Sequence, residues 1–102
     1  MNEYINKRLF QGFVCLHILH HAELEPIYGS WMIEELAKHG YKLSPGTLYP
    51  ILHSLENENL IQSYEEIIGG KIRKYYKVTD EGKSELKQAK RYLTELIDEI
   101  DL

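Results

Sequence analysis

SPGTLYPILHSLENENL, residues Ser44 to Leu60, is the stretch whose reading decides the fold. It opens with a hydroxyl, a proline and a glycine, then sets Leu48, Ile51, Leu52 and Leu55 three and four residues apart, the repeat of one buried helix face. Ser44 suits an N-cap, and Pro45 at the first helical position lacks only an N–H that would be unpaired there. The spacing predicts a helix over 45–58. Its other face carries Thr47, Tyr49, Pro50 and His53, and Gly46 leaves the first turn bare. Free amides and the positive end of the helix dipole make such a start an anion site. The expected DNA-contacting set is therefore Ser44, Pro45, Gly46, Thr47, Tyr49, Pro50 and His53, reaching phosphates, sugars and base edges. Taken alone, the same start favours a structural helix with Tyr49 half-buried in packing, so the flanking segments have to decide.

Upstream, YGSWMIEELAKH (28–39) predicts a helix with Trp31 or Met32, Leu36 and Ala37 inward and Glu34, Glu35 and Lys38 outward. Gly40 follows where a left-handed C-terminal cap is expected, and Tyr41-Lys42-Leu43 leads straight into Ser44. Two short helices joined this way form a helix-turn-helix, whose second helix is offered to the major groove. A further helix over 4–20 carries Ile5, Leu9, Phe13 and Leu16 at helical spacing. Phe10, Val14, Ile18 and Leu19 widen its apolar surface beyond one stripe, so it must be covered on more than one side. The segment 21–27, with its acids and Pro26, should end this helix and make a connecting loop.

Downstream the period changes. IQSYEEI and KIRKYYKV flank Gly69-Gly70, a two-residue hairpin turn, and predict a wing over 61–78. Lys71, Arg73 and Lys74 stand just beyond the turn as phosphate contacts, with Tyr76 and Val78 inward. Thr79 then caps a last helix with Asp80 and Glu81 in its first turn. Leu86, Leu93 and Ile100 recur every seven residues, with Ala89 and Leu96 also seven apart and Ile97 beside them, as in a two-stranded seam. From Asp80 to the end such a helix is about 35 Å long, too long for so small a domain to cover. It is expected to pair with a second copy together with Phe10 and Phe13; packing back on the first helix of its own chain is the alternative, and both could hold in one dimer. The fold class is α+β, mostly α: a winged helix-turn-helix over 1–78 and a C-terminal dimerisation helix over 79–102, in one compact unit.

Composition sets limits. One hundred and two residues make one domain, with no room for a separate catalytic one. The net charge of −4 hides two basic blocks, 36–55 with two bases and no acid, and 71–79 with four bases and no acid. Phosphate responds to that local potential rather than to the total. Neither a membrane span nor a signal peptide is expected, and a cytoplasmic location follows. Cys15, in FVCL, reads as a buried inert thiol. Nothing pairs a nucleophile with a base or makes a phosphate loop, so no enzyme and no cofactor are expected. His17 and His21, four apart with His20, Glu23 and Glu25 nearby, have metal-ligand spacing, but no further histidine pair or cysteine completes a set, and the preferred reading is structural with no metal. A metal or ligand sensor on the same fold, and a winged helix that binds protein, are the alternatives; the acidic total favours the latter.

The combination of Tyr28-Gly29, LSPGTLYPILHSLENENLI and GGKIRKYYKVTDEGK resembles the PadR-like transcriptional regulators, in the short form with one C-terminal dimerisation helix. The resemblance covers nearly the whole chain. It implies a homodimeric winged-helix regulator, usually a repressor, on a palindromic double-stranded operator and often released by a small ligand. It places DNA contacts at the positions named above. Two departures stand out: Ile27 where the family commonly has histidine, and a longer, more acidic AELEPIYG loop. A ligand near the dimer interface would meet Trp31, Tyr92, Phe10, Phe13 or Leu96; no residue identifies it.

Overall fold

The computed structural model describes residues 2–101, so the expected segment ends at Met1 and at Leu102 lie outside the described residues. The elements in order are α1 (Tyr4–Leu24), β1 (Ile27–Tyr28), α2 (Gly29–Lys38), α3 (Pro45–Asn57), β2 (Ile61–Ile68), β3 (Lys71–Val78) and α4 (Asp80–Ile100). This is a winged helix-turn-helix with a long C-terminal helix.

Local chemistry sets most boundaries. Gly40, at φ +91°, ends α2: its N–H bonds the Ala37 carbonyl and the Tyr41 N–H bonds that of Leu36, a Schellman cap. Asn59, at φ +61°, does the same for α3, with its own N–H on Glu56 and that of Leu60 on Leu55. Gly69 and Gly70 both have positive φ, +57° and +79°, which closes the β2–β3 hairpin as a type I′ turn. Thr79 caps α4 by accepting from the Gly82 N–H at 3.0 Å, while its own hydroxyl donates to the Asn59 carbonyl at 2.6 Å.

α1 runs to Leu24, four residues past the expected end, and shortens the loop ahead of Pro26. The reason lies in packing: Ala22 is buried and His21 sits against Trp31 of α2, so the last turn is held in place. Tyr28 caps α2 instead of opening it. With Ile27 it forms a two-residue strand, β1, that pairs antiparallel with β3 (Ile27 opposite Tyr76, Tyr28 opposite Tyr75), giving the sheet order β1-β3-β2. Ala37, expected inward, is exposed; Met32 and Leu36 carry the buried face of α2.

Every element except the hairpin turn feeds one core, built from Val14, Ile18, Leu19 and Ala22 of α1, Ile27, Met32, Leu36, Leu48, Leu52, Leu55, Ile61, Tyr76 and Leu86. Each Val, Leu, Ile or Met among them contributes about 1.5–3 kcal/mol by leaving water. α4 is tied to this core at its start. A Cβ on Gly82 would overlap the Leu60 carbonyl oxygen and stand 2.7 Å from Val78 Cγ2, so only glycine lets the first turn of α4 approach the α3–β2 connection this closely. Among the described residues, no helix is long and apolar enough to cross a membrane.

Candidate nucleic-acid interface

α3 buries Leu48, Leu52 and Leu55 and leaves Ser44, Pro45, Gly46, Thr47, Tyr49, Pro50 and His53 exposed, so the helix presents the whole expected set to solvent. Its N-terminus is barer than the sequence implies. Ser44 occupies the N-cap position but its hydroxyl bonds Thr47 Oγ1 at 3.3 Å rather than a backbone amide. The Gly46 N–H consequently has no protein acceptor among the described residues. Pro50, inside the helix, has no N–H to give the Gly46 carbonyl one turn back. Among the described residues, Gly46 thus lacks both a capping acceptor for its N–H and the usual donor for its carbonyl.

The seven positions do not form one stripe. Thr47 and Pro50 lie on the flank toward α1, where they line a groove of about 690 Å³ with Phe10, Cys15, Ile51 and Leu55. Tyr49 lies on the other flank, and its phenol covers Gly29 at the start of α2. A Cβ on Gly29 would overlap the Tyr49 hydroxyl and stand 2.6 Å from Cζ. Tyr49 is 39 % exposed, so it is at once a packing residue and a surface one.

The groove beside Tyr49, about 280 Å³, is where the wing joins the helices. Tyr28, Gly29 and Ser30 from the start of α2, Tyr49 from α3, and Ile68, Lys71, Ile72, Arg73 and Lys74 from the wing line it. An α-helix N-terminus and three cations thus converge on one concavity. Arg73 does not reach freely into solvent. Its guanidinium lies 4.1 Å over the Tyr28 ring, and the neighbouring phenols of Tyr75 and Tyr28 raise its already high pKa further. Tyr28 in turn stacks edge-on against Tyr75 at 5.6 Å. Lys74 Nζ is 5.7 Å from the Tyr76 ring. Across the hairpin, Glu66 faces Arg73 and Glu65 faces Lys74, so the tip is less positive than the basic run by itself suggests.

The wing is anchored to α3 by Glu56. Its carboxylate accepts from the Ser63 hydroxyl at 2.7 Å and the Ser63 N–H at 2.9 Å, and these bonds hold its pKa below the usual carboxylate value. The Glu56–Ser63 anchor and strand β1 have no local sequence signal: the first joins residues seven apart, and two residues are too few to carry a period.

The expected pairing residues divide along α4. Leu86 is buried against the chain's own core, which corrects its assignment to a seam with another chain. Phe13 and Leu93 are half-buried and share a groove with Leu16, His17 and Tyr41; Ala89 is half-buried as well. Phe10 is 5.1 Å from the Tyr41 ring, edge to face. Leu96, Ile97 and Ile100 are 50–71 % exposed, as are Tyr4 and Ile5 at the start of α1. The two ligand candidates have separate surroundings: Trp31 packs on the core beside His21, whereas Tyr92 lines a shallow depression with Leu60 and Ala89. Cys15 is half-buried, and burial, aided by Glu85, pushes its thiol pKa up, in keeping with an inert thiol.

His39, at the C-terminal cap of α2, comes to His17 and His21 of α1. Ligand atoms of the three imidazoles lie within 4.8 Å of one another. In the sequence no matching cysteine or second histidine pair accompanies His17 and His21; helix packing brings His39 to them. Burial lowers the pKa of His17, aided by His39, His21 and His20, and burial lowers that of His21 against the opposing pull of Glu35. For Glu35, partial burial is outweighed by the His39 hydrogen bond and the Lys38 and His21 charges, and its pKa lies below the usual value.

An acid-free helix face, a helix N-terminus and a basic hairpin gathered at one edge define a winged helix-turn-helix of the nucleic-acid-binding kind. The model of the PadR-like family of transcriptional regulators matches residues 18–88, and the chain belongs to that family. It is 45 % identical over 87 residues to a transcriptional regulator of Mycobacterium tuberculosis, covering 85 % of this chain and 81 % of that one. Among solved structures it resembles a PadR family regulator of Eggerthella lenta, with a TM-score of 0.82 and 33 % identity over 95 % of this chain and 86 % of that one. A PadR-like transcription factor of Bacteroides fragilis gives the same TM-score at 30 % identity, covering 95 % of each chain. These relatives are transcriptional regulators, not enzymes.

Proposed function

We propose that the protein is a cytoplasmic, homodimeric repressor that binds a palindromic double-stranded DNA operator. In this reading α3 enters the major groove with Gly46, Thr47, Tyr49, Pro50 and His53 toward the bases, while Ser44, Pro45 and the start of α2 take backbone phosphates. Lys71, Arg73 and Lys74 lie along the backbone beside it. The observation that carries the reading is the groove in which Tyr49, the α2 N-terminus and the three wing cations meet.

The dimer is supported by the exposed apolar side chains Leu96, Ile97 and Ile100 on α4 and Tyr4, Ile5 and Phe10 on α1. A palindromic operator would require the two α3 helices of the dimer to stand about 34 Å apart, one turn of DNA. Release by a small ligand belongs to the same reading, and the α1–α3 groove, lined by Phe10, Pro50, Ile51 and Leu55, has the size of a ligand site.

A second reading, a protein-binding winged helix, draws on Glu65 and Glu66 opposite the wing cations. Fluorescence anisotropy with DNA from the protein's own promoter separates the two. The repressor reading expects specific binding that weakens steeply with salt. Absence of specific binding at every salt concentration would overturn it.

A further inference from the structure

We propose that His17, His21 and His39, with Glu35 closing the fourth position, form a site for a divalent transition-metal ion of the zinc class. The site goes beyond the DNA-binding reading and does not depend on it.

The geometry comes from two helices. His17 and His21 stand one turn apart on α1, and their rings face each other nearly parallel, with centroids 6.2 Å apart and an interplanar angle of 13°. His39, at the end of α2, brings its ring 4.6 Å from that of His17 and 6.2 Å from that of His21. Tetrahedral zinc with bonds of about 2.0–2.1 Å holds its ligand atoms roughly 3.3–3.4 Å apart. Bringing atoms no more than 4.8 Å apart to that separation closes each gap by at most about 1.4 Å, within reach of small imidazole rotations.

Glu35 stands at such distances from two of the three histidines. Its Oε2 lies 3.1 Å from His39 Nε2 and 3.7 Å from His21 Nε2, near the edge lengths of a tetrahedral shell. Its other oxygen, Oε1, is turned to Lys38 at 3.5 Å, which leaves Oε2 to the imidazoles. The surroundings suit a bound ion. The side chains of His21 and Glu35 are only 14 % and 16 % exposed, while that of His39, at 45 %, leaves a path from solvent. Three nitrogens and one oxygen favour zinc, cobalt or nickel over calcium or magnesium, which take oxygen shells. An ion here would tie α1 to the end of α2, one residue before the Gly40 turn that leads to α3.

Trp31 supplies the readout, since it is the sole tryptophan and its ring is 5.6 Å from that of His21. Chelator-treated protein is titrated with Co²⁺, followed by Trp31 quenching and by visible absorption, and then with Zn²⁺ as competitor and by calorimetry. The expected result is one ion per chain, a tetrahedral Co²⁺ spectrum displaced by Zn²⁺, and a melting temperature that rises with Zn²⁺. His17→Gln, His21→Gln and His39→Gln should each weaken binding at least about tenfold, as should Glu35→Gln, while His20→Gln and His53→Gln leave it unchanged. Should a variant fail to fold, imidazole NMR of the unaltered chain decides: Zn²⁺ should shift the ring signals of His17, His21 and His39 most and spare His53. No saturable binding at micromolar metal, binding retained when all three histidines are replaced, or shifts confined to His20 or His53 would overturn the site.

Discussion

The Tyr49 phenol rests on Gly29, so that the start of α2 and the exposed face of α3 are one packed unit. Two motifs twenty residues apart in sequence are thus a single contact, and glycine is required at 29 because a Cβ there would occupy the ring's place. Gly29→Ala should destabilise by about 1–3 kcal/mol through overpacking, and should weaken operator binding by displacing Tyr49. Tyr49→Ala should weaken operator binding while leaving the dimer intact. Thermal melts, anisotropy and light scattering on both variants check this; a Gly29→Ala protein as stable as the parent would contradict the packing argument.

The wing cations differ in how they are held. Lys71→Ala and Lys74→Ala should each lower the slope of log affinity against log salt by about 1, the loss of one phosphate contact. Arg73→Ala should lose more than either, because the guanidinium also fixes Tyr28 and the groove wall. Arg73→Lys should not restore it, since an ammonium lacks the planar group that stacks on the ring. Salt titrations of the four variants measure the difference.

Along α4, neighbouring heptad positions should give opposite phenotypes. Leu86→Ala removes a side chain that is 4 % exposed in the chain's own core and should cost about 2–5 kcal/mol of stability. Leu96→Glu with Ile100→Glu, both at exposed positions, should leave the fold intact and produce a monomer. Light scattering beside circular dichroism distinguishes the two, and a dimer that survives the double change would exclude this end of α4 from the interface.

Glu56 makes stability depend on acid. Its folded pKa is lowered by the two Ser63 bonds, so its contribution is fully present above the unfolded value of about 4.5 and is lost as pH falls through the folded value. Glu56→Gln should cost about 1 kcal/mol at neutral pH, and the gap from the parent should narrow below pH ~4.5. Denaturant midpoints across that range test it; a constant gap would mean that the carboxylate charge contributes nothing.

Gly82→Ala should be among the more damaging single changes, at about 1–3 kcal/mol or above, since the added methyl meets the Leu60 backbone carbonyl rather than a side chain that could turn away. The melting temperature measures it directly.

Where signals were local, the sequence was enough. The three-and-four spacing of Leu48, Leu52 and Leu55, the Gly69-Gly70 pair and the Thr79 cap each act within a few residues, and α3, the hairpin and α4 lie where those signals place them. The candidate surface was legible for the same reason: residues off a helix's apolar stripe are exposed, as all seven at the start of α3 are.

What tertiary structure decided were the meetings between elements. Ile27 and Tyr28 become a strand only because β3 offers Tyr75 and Tyr76 as partners. His39 becomes part of a cluster only because α2 crosses α1 beside His17 and His21. A regular heptad over 86–100 could not reveal that Leu86 is covered by its own chain while Leu96, Ile97 and Ile100 are not, since periodicity names a face without naming what covers it. The sequence by itself therefore determined the elements and their polar and apolar sides, through steric and hydrogen-bonding preferences that act over a turn or two. Only the folded chain decided which sides touch, because that depends on shape complementarity among residues distant in sequence.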